Sequence, residues 1–135
     1  AALCTVAKVI NPKIQIIGVQ SAQAPAAYQS WTSKGIKSAP TSTVAEGLAT
    51  SIGFELTQNI LWELLDDFVL VDDKEIEDSI VTLATKAHTL AEEAGASTLA
   101  CALKIKDRLS GKKVALVISG GNISLKRLKA IMSTA

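Results

Sequence analysis

Apolar residues recur along the chain in two patterns, stripes spaced three and four apart and short unbroken runs. Leu3, Val6, Ala7 and Ile10 fall at i, i+3, i+4 and i+7, the stripe of one helix face. Asn11-Pro12 ends that helix. Ile14, Ile16, Ile17 and Val19 then predict a strand reaching Gln20. Pro25 suits the first turn of a second helix, where its missing N–H costs nothing. This helix carries Tyr28 and Trp31 and stops near Gly35, a C-cap. Residues 36–43 are rich in Ser, Thr and Pro and predict a loop, and Ala45-Glu46-Gly47 follows it. Phe54, Leu61 and Leu65 share a helix face between Ile52 and Leu65, with Trp62 a core or interface side chain. Asp66-Asp67 breaks the pattern, and Phe68–Val71 predicts a short buried strand.

Asp72 or Asp73 caps the next helix, whose stripe is Ile76, Ile80, Leu83, Ala87 and Leu90. Ala94-Gly95-Ala96 interrupts it, and a further helix is expected from Ser97 to Leu109. Val114–Ile118 is five apolar residues without a polar break, a doubly buried third strand. It ends in Ser119-Gly120-Gly121-Asn122. Asn122 or Ser124 caps a last helix, with Leu125, Leu128 and Ile131 facing inward. The order is thus α, β, α, α, β, α, α, β, α. Strands joined by helical crossovers run parallel. The expected fold is α/β: one domain over residues 1–135, a partial open parallel sheet of about three strands sandwiched by helices. A sheet so small and so apolar reads as a fragment of a larger one.

Composition narrows the functions. With 135 residues the chain can enclose one core, and its net charge of +1 gives no ground for a nucleic-acid partner. No apolar run approaches the roughly 18 residues of a membrane span, and no secretory signal pattern is present. Cys4 and Cys101 lie far apart in apolar surroundings, as reduced core thiols of a cytoplasmic protein do.

Candidate chemistry concentrates at one place. A buried parallel strand ending in a small polar turn is where open α/β sheets hold ligands, although a plain β-to-α turn has the same look. Gly120-Gly121 alone is a weak phosphate signal. The acidic group of Asp66, Asp67, Asp72, Asp73, Glu75, Glu77 and Asp78 lacks the spacing and central Gly of a calcium loop; helix capping and a solvated face account for it. His88 and Glu92 are four apart and would share a helix face, but a lone His there is more often a local partner than a ligand. One His and no nucleophile elbow leave no catalytic triad to argue.

Several stretches match a known family together. Val117-Ile118-Ser119-Gly120-Gly121-Asn122 resembles the pyridine-end motif of the serine/threonine dehydratases and serine racemases, fold type II enzymes that use pyridoxal phosphate. Glu92-Glu93-Ala94-Gly95-Ala96 is similar to their Glu-Gly-Ala-Gly-Ala segment, with Glu93 in place of Gly. Ala45-Glu46-Gly47 resembles their Ala-Asp-Gly. Ile17-Gly18-Val19-Gln20 through Ala24-Pro25 to Trp31 is similar to the segment after their glycine loop. The resemblance runs in the family's order over the whole chain.

The resemblance implies the C-terminal part of the large domain of a threonine or serine dehydratase, a lyase of amino-acid metabolism. In the family, a lysine in a Ser-x-Lys-x-Arg-Gly motif anchors the cofactor, and a run of glycines holds its phosphate. Neither is found here. Ser124-Leu125-Lys126-Arg127 and Ser33-Lys34-Gly35 are only echoes of the lysine motif. The resemblance therefore implies no catalytic residue in this chain, and no tight pyridoxal phosphate binding by it alone. It gives cofactor-contacting roles to Ser119 at the pyridine nitrogen, to Gly120, Gly121 and Gly47 along the ring, and to Glu92 near the pyridine end. The family's cation site has a carboxylate where Gln20 stands and, in some members, an Asp where Ala26 stands, so no metal is expected. Implied partners are an amino-acid substrate in the whole enzyme and either the missing N-terminal portion or a second copy in a dimer. A different reading is a free-standing, non-catalytic α/β domain that dimerises or binds a partner through an open sheet edge.

Overall fold

The computed structural model describes residues 1–134. Helices and strands alternate largely as the periodicity predicts: α1 Ala2–Ile10, β1 Ile17–Ser21, α2 Ala26–Ser33, a 3₁₀ turn at Glu46–Leu48, α3 Glu55–Leu64, β2 Asp67–Val71, α4 Asp73–Lys86, α5 Glu93–Lys104, α6 Lys106–Leu109 and α7 Leu125–Met132. β1 and β2 run parallel and in register from Ile17 opposite Asp67 to Ser21 opposite Val71. Helices α1, α2 and α3 pack together on one side, where α2 meets β2. Helices α4, α5 and α7 pack on the other, where α5 lies along both strands.

The core sits in this second layer. Ala45, Val71, Ile76, Ile80, Leu83, Ala91, Ala96, Ala100, Cys101 and Ile131 form one buried cluster. Small residues on α5 let it approach the sheet and α4 closely, which a bulkier face would prevent. On the other side the two tryptophans lock α2 to α3: Trp31 Nε1 donates to Leu61 O at 3.0 Å, and Trp62 Nε1 to Ser30 O at 3.1 Å. Trp62 is thus an interhelix side chain.

The third strand is corrected. Residues 114–118 form no regular element and belong to no sheet, and no backbone hydrogen bond joins Val114–Ser119 to another strand among the described residues. Val117 is 49 % exposed. An apolar run specifies an extended chain and a wish for cover, but a ladder also needs a neighbour within about 5 Å. A groove separates this stretch from β1.

Five helix details also differ. The stripe of α1 faces outward, with Ile10 76 % exposed and Cys4 its buried residue. Lys34, not Gly35, takes the left-handed C-cap of α2 (φ 52°). Helix α4 ends at Lys86 because His88 adopts φ 51°, so His88 and Glu92 share no helix face. Helix α5 begins at Glu93 and runs through Ala94-Gly95-Ala96, which do not interrupt it; Ala is the best helix former and offsets the one Gly. On α7, capped by the Ser124 hydroxyl accepting from Arg127 N–H, Ile131 is buried but Leu125 is 84 % exposed.

Candidate functional site

The turn after the apolar run Val114–Ile118 is fastened to the start of α5 by one residue. Glu92 donates its N–H to Gly120 O at 3.0 Å, and its Oε2 accepts from Asn122 N–H at 3.0 Å. Glu92 therefore spans the turn on both sides of Gly121. The turn's glycines are dictated by this closeness. A Cβ on Gly120 would lie 2.6 Å from Glu92 Oε1, and one on Gly121 would lie 2.9 Å from Leu90 O. On α5, a Cβ on Gly95 would meet Gly120 O at 2.7 Å, and on the 3₁₀ turn one on Gly47 would meet Ala94 Cβ at 2.8 Å. Room vacated by these side chains is filled by the protein's own atoms.

Ser119 stands at the end of the apolar run Val114–Ile118, exposed. The hydrogen bonds nearby fall on its neighbours, since Thr98 Oγ1 lies 3.4 Å from Val117 O and Glu92 takes Gly120 and Asn122. Its hydroxyl is left open to a groove of about 910 Å³, which Val19, Leu48, Ala94 and Ser97 also line. Gly47 and Glu92 line a separate hollow of about 710 Å³ with Glu46, Glu93, Asn122 and Arg127. Ala94 borders both. The five residues singled out in the sequence are thus gathered around the start of α5 without lining one cleft.

Two polar clusters that the sequence pattern did not reveal hold this region. Asp73 Oδ1 accepts from Ser21 Oγ and from Thr43 Oγ1, each at 2.7 Å, and Oδ2 accepts from Val44 N–H at 2.8 Å. Asp73 so ties the end of β1 to the loop that leads to Gly47, where the sequence suggested only a helix cap. Arg127 bridges three helices, its Nε donating to Glu93 Oε1 at 2.8 Å and its other arm to Glu77. The Glu93 carboxylate, with Glu77 beside it, holds the guanidinium above its usual value against the opposing effect of burial. Neither role has a sequence signal, because both partner sets lie tens of residues away.

Other candidates are structural. Gln20 is buried with both ends engaged: Oε1 accepts from Tyr28 N–H at 3.0 Å and Nε2 donates to Thr50 Oγ1 at 3.1 Å. Among the described residues, no group of three His, Cys, Asp or Glu side chains could hold a metal ion, and no helix is long and apolar enough to cross a membrane. Cys4 and Cys101 are buried and free, and burial pushes the Cys101 thiol up, with Asp67 adding to the effect.

A two-stranded parallel sheet between helix layers, with a glycine turn and an open hydroxyl beside a groove, defines an α/β protein. The comparisons say which kind. The family described as "Pyridoxal-phosphate dependent enzyme" matches residues 1–120, and the chain belongs to it. L-threonine ammonia-lyase of Thermotoga maritima is 36 % identical over 129 residues, 93 % of this chain and 31 % of that protein. L-threonine dehydratase catabolic TdcB of Escherichia coli K12 is 38 % identical over 136 residues, 97 % of this chain and 41 % of that protein. Among solved structures, maize serine racemase superposes with a TM-score of 0.85 at 31 % identity, covering 98 % of this chain and 43 % of its own. The processed form of threonine deaminase isoform 2 from Solanum lycopersicum gives 0.87 at 27 % identity, covering 98 % and 40 %. The chain thus spans 31 to 41 % of the length of these curated relatives, and its fold is that of fold type II pyridoxal-phosphate enzymes.

Proposed function

We propose that this chain is the C-terminal part of the large domain of a pyridoxal-phosphate-dependent threonine or serine dehydratase. The whole enzyme would convert L-threonine or L-serine to a 2-oxo acid and ammonia. The 135 residues alone would neither hold the cofactor tightly nor turn over. The observation that supports this best is the open Ser119 hydroxyl at the end of the apolar run, beside a glycine turn clasped by Glu92.

These residues suit a flat heteroaromatic group. Ser119 can exchange a hydrogen bond with a ring nitrogen, and a neutral hydroxyl, unlike a carboxylate, does not oblige that nitrogen to stay protonated. Gly47, Gly120 and Gly121 let the 3₁₀ turn, the start of α5 and the Glu92 carboxylate close up on one another, which fixes where Ser119 stands. Glu92 would hold the turn, and so the direction of Ser119, through Asn122 N–H. When bound, the cofactor supplies the electron sink that makes the α-proton acidic and lets the β-hydroxyl leave. The acid–base lysine of that chemistry has no counterpart in the residues that carry the resemblance.

The test is direct. The purified chain is incubated with pyridoxal phosphate and L-threonine, 2-oxobutyrate is followed, and retained cofactor is measured after ultrafiltration. Product and retention at the no-protein level are expected. Turnover above that control would refute the reading. The alternative, a non-catalytic α/β domain acting through dimerisation or a partner, is favoured by the free edge of β1.

A further inference from the structure

Helix α2 starts without a cap of its own. Its N-cap residue is Pro25, and no side chain there accepts from the first turn. The first N–H groups of a helix have no partner inside the helix. Here one of them is taken from the neighbouring strand: Tyr28 N–H donates to Oε1 of Gln20, eight residues earlier on β1, at 3.0 Å. The other end of the same amide reaches the loop after the 3₁₀ turn, where Gln20 Nε2 donates to Thr50 Oγ1 at 3.1 Å. The side chain that makes both bonds is 4 % exposed.

The loop it holds leads to the candidate site. Thr50 N–H donates to Leu48 O, Ala49 N–H to Glu46 O and Leu48 N–H to Ala45 O, so Thr50 and the 3₁₀ turn move as one piece. Gly47 in that turn lies against Ala94 of α5, next to Glu92. The Gln20 amide thus joins the start of α2 to the segment that sets Gly47 in place.

The resemblance puts a divalent-cation site at this position, with a carboxylate in place of Gln20 and, in some members, an Asp in place of Ala26. The residues present do not fit such an ion. A hard cation takes several oxygen ligands, carboxylates foremost. The amide oxygen of Gln20 is already engaged by Tyr28 N–H, and its NH₂ end presents hydrogens, which repel a cation. Ala24 and Ala26 are wholly buried methyl groups. Asp73, bonded to the adjoining Ser21, has its oxygens taken by Ser21, Thr43 and Val44. Among the described residues, no three His, Cys, Asp or Glu side chains are grouped to hold a metal.

We propose that Gln20 is a positioning residue that replaces a metal ion with an amide: it caps α2, ties the cap to the loop at Thr50, and leaves the fold indifferent to divalent cations. An amide suits the task because it carries an acceptor for the N–H and a donor for the hydroxyl oxygen at once. The proposal rests on family membership and not on the dehydratase reading, since it is tested on this chain without cofactor or substrate.

Thermal melts with Mg²⁺, Ca²⁺ or Mn²⁺ added, and with EDTA, should agree within about 2 °C, because an ion that does not bind the folded state cannot stabilise it. A larger rise with any of the three ions overturns the proposal. Amide exchange reads the cap itself. In Gln20→Ala the Tyr28 amide should exchange at least about tenfold faster, while Gln29, whose N–H donates to Pro25 O, keeps its rate. Gln20→Glu, which fills the same space and keeps an acceptor for Tyr28 N–H, should hold Tyr28 protected. Unchanged exchange of Tyr28 in Gln20→Ala overturns the proposal, as does exchange in Gln20→Glu as fast as in an unstructured peptide. Thr50→Val should leave the Tyr28 rate as it is and speed exchange at Leu48 to Thr50; no change there removes the tie to the loop and overturns the proposal as stated.

Discussion

Asp66 joins three parts of the chain that the sequence leaves far apart. Its carboxylate accepts from Lys8 Nζ at 2.7 Å and from Ile16 N–H at 2.7 Å, while Lys8 also donates to Ile14 O. The end of α1 is thereby pinned to the lead-ins of both strands. Burial alone raises the Asp66 carboxyl, but the Lys8 ammonium and the Ile16 N–H outweigh it and leave it below its usual value. A depressed folded value means stabilisation that is complete above the unfolded value of about 4 and lost as pH falls through the folded one. Asp66→Asn should therefore lower stability at pH 7 by under about 1 kcal/mol, as partly exposed ion pairs do. Paired urea melts should converge as the pH drops below about 4. A gap that stays constant down to pH 2 would show that the charge is not what matters.

At the scale of elements, Arg127 carries the attachment of α7. Its fork takes Glu77 from α4 and Glu93 from α5, and both carboxylates are mostly covered. Arg127→Ala leaves two partly buried acids facing each other and should cost about 2 kcal/mol by denaturant unfolding. Arg127→Lys, which keeps the charge but not the fork, should recover less than half of that. A loss equal to that of a neutral surface change would remove the clamp from the account.

The helices and both paired strands were legible because their spacing records which face is covered. Ile76, Ile80 and Leu83 of α4 announced their burial in this way. The stretch Val114–Ile118 is legible as apolar but not as unpaired, since an apolar run carries no record of whether a neighbour is there. The outward stripe of α1 failed for the same reason. Gly95 was read as a break because glycine is a poor helix former; its use is to let Gly120 approach α5, which only the tertiary fold reveals. Within the site, the glycine turn and Ser119 stood out as residues, but Glu92 as the clasp, Asp73 as the hub and the separation of the two hollows depend on contacts across 28 to 52 positions.

Taken whole, the molecule covers its surfaces unequally. One helix layer encloses a packed core, while the edge of β1, the stretch 114–118 and the outer face of α1 present apolar surface of the kind that partners or further chain cover. The dehydratase reading begins at Ser119 and the partner reading at the free edge of β1, and the same groove borders both. Amide hydrogen exchange on the isolated chain tests this most directly. The account predicts that the Val114–Ser119 amides exchange near the rate of an unstructured peptide, while β1–β2 ladder amides such as that of Val69 are protected to nearly the global stability. Protection of 114–119 equal to that of the ladder, in the monomer and without any added ligand, would contradict it.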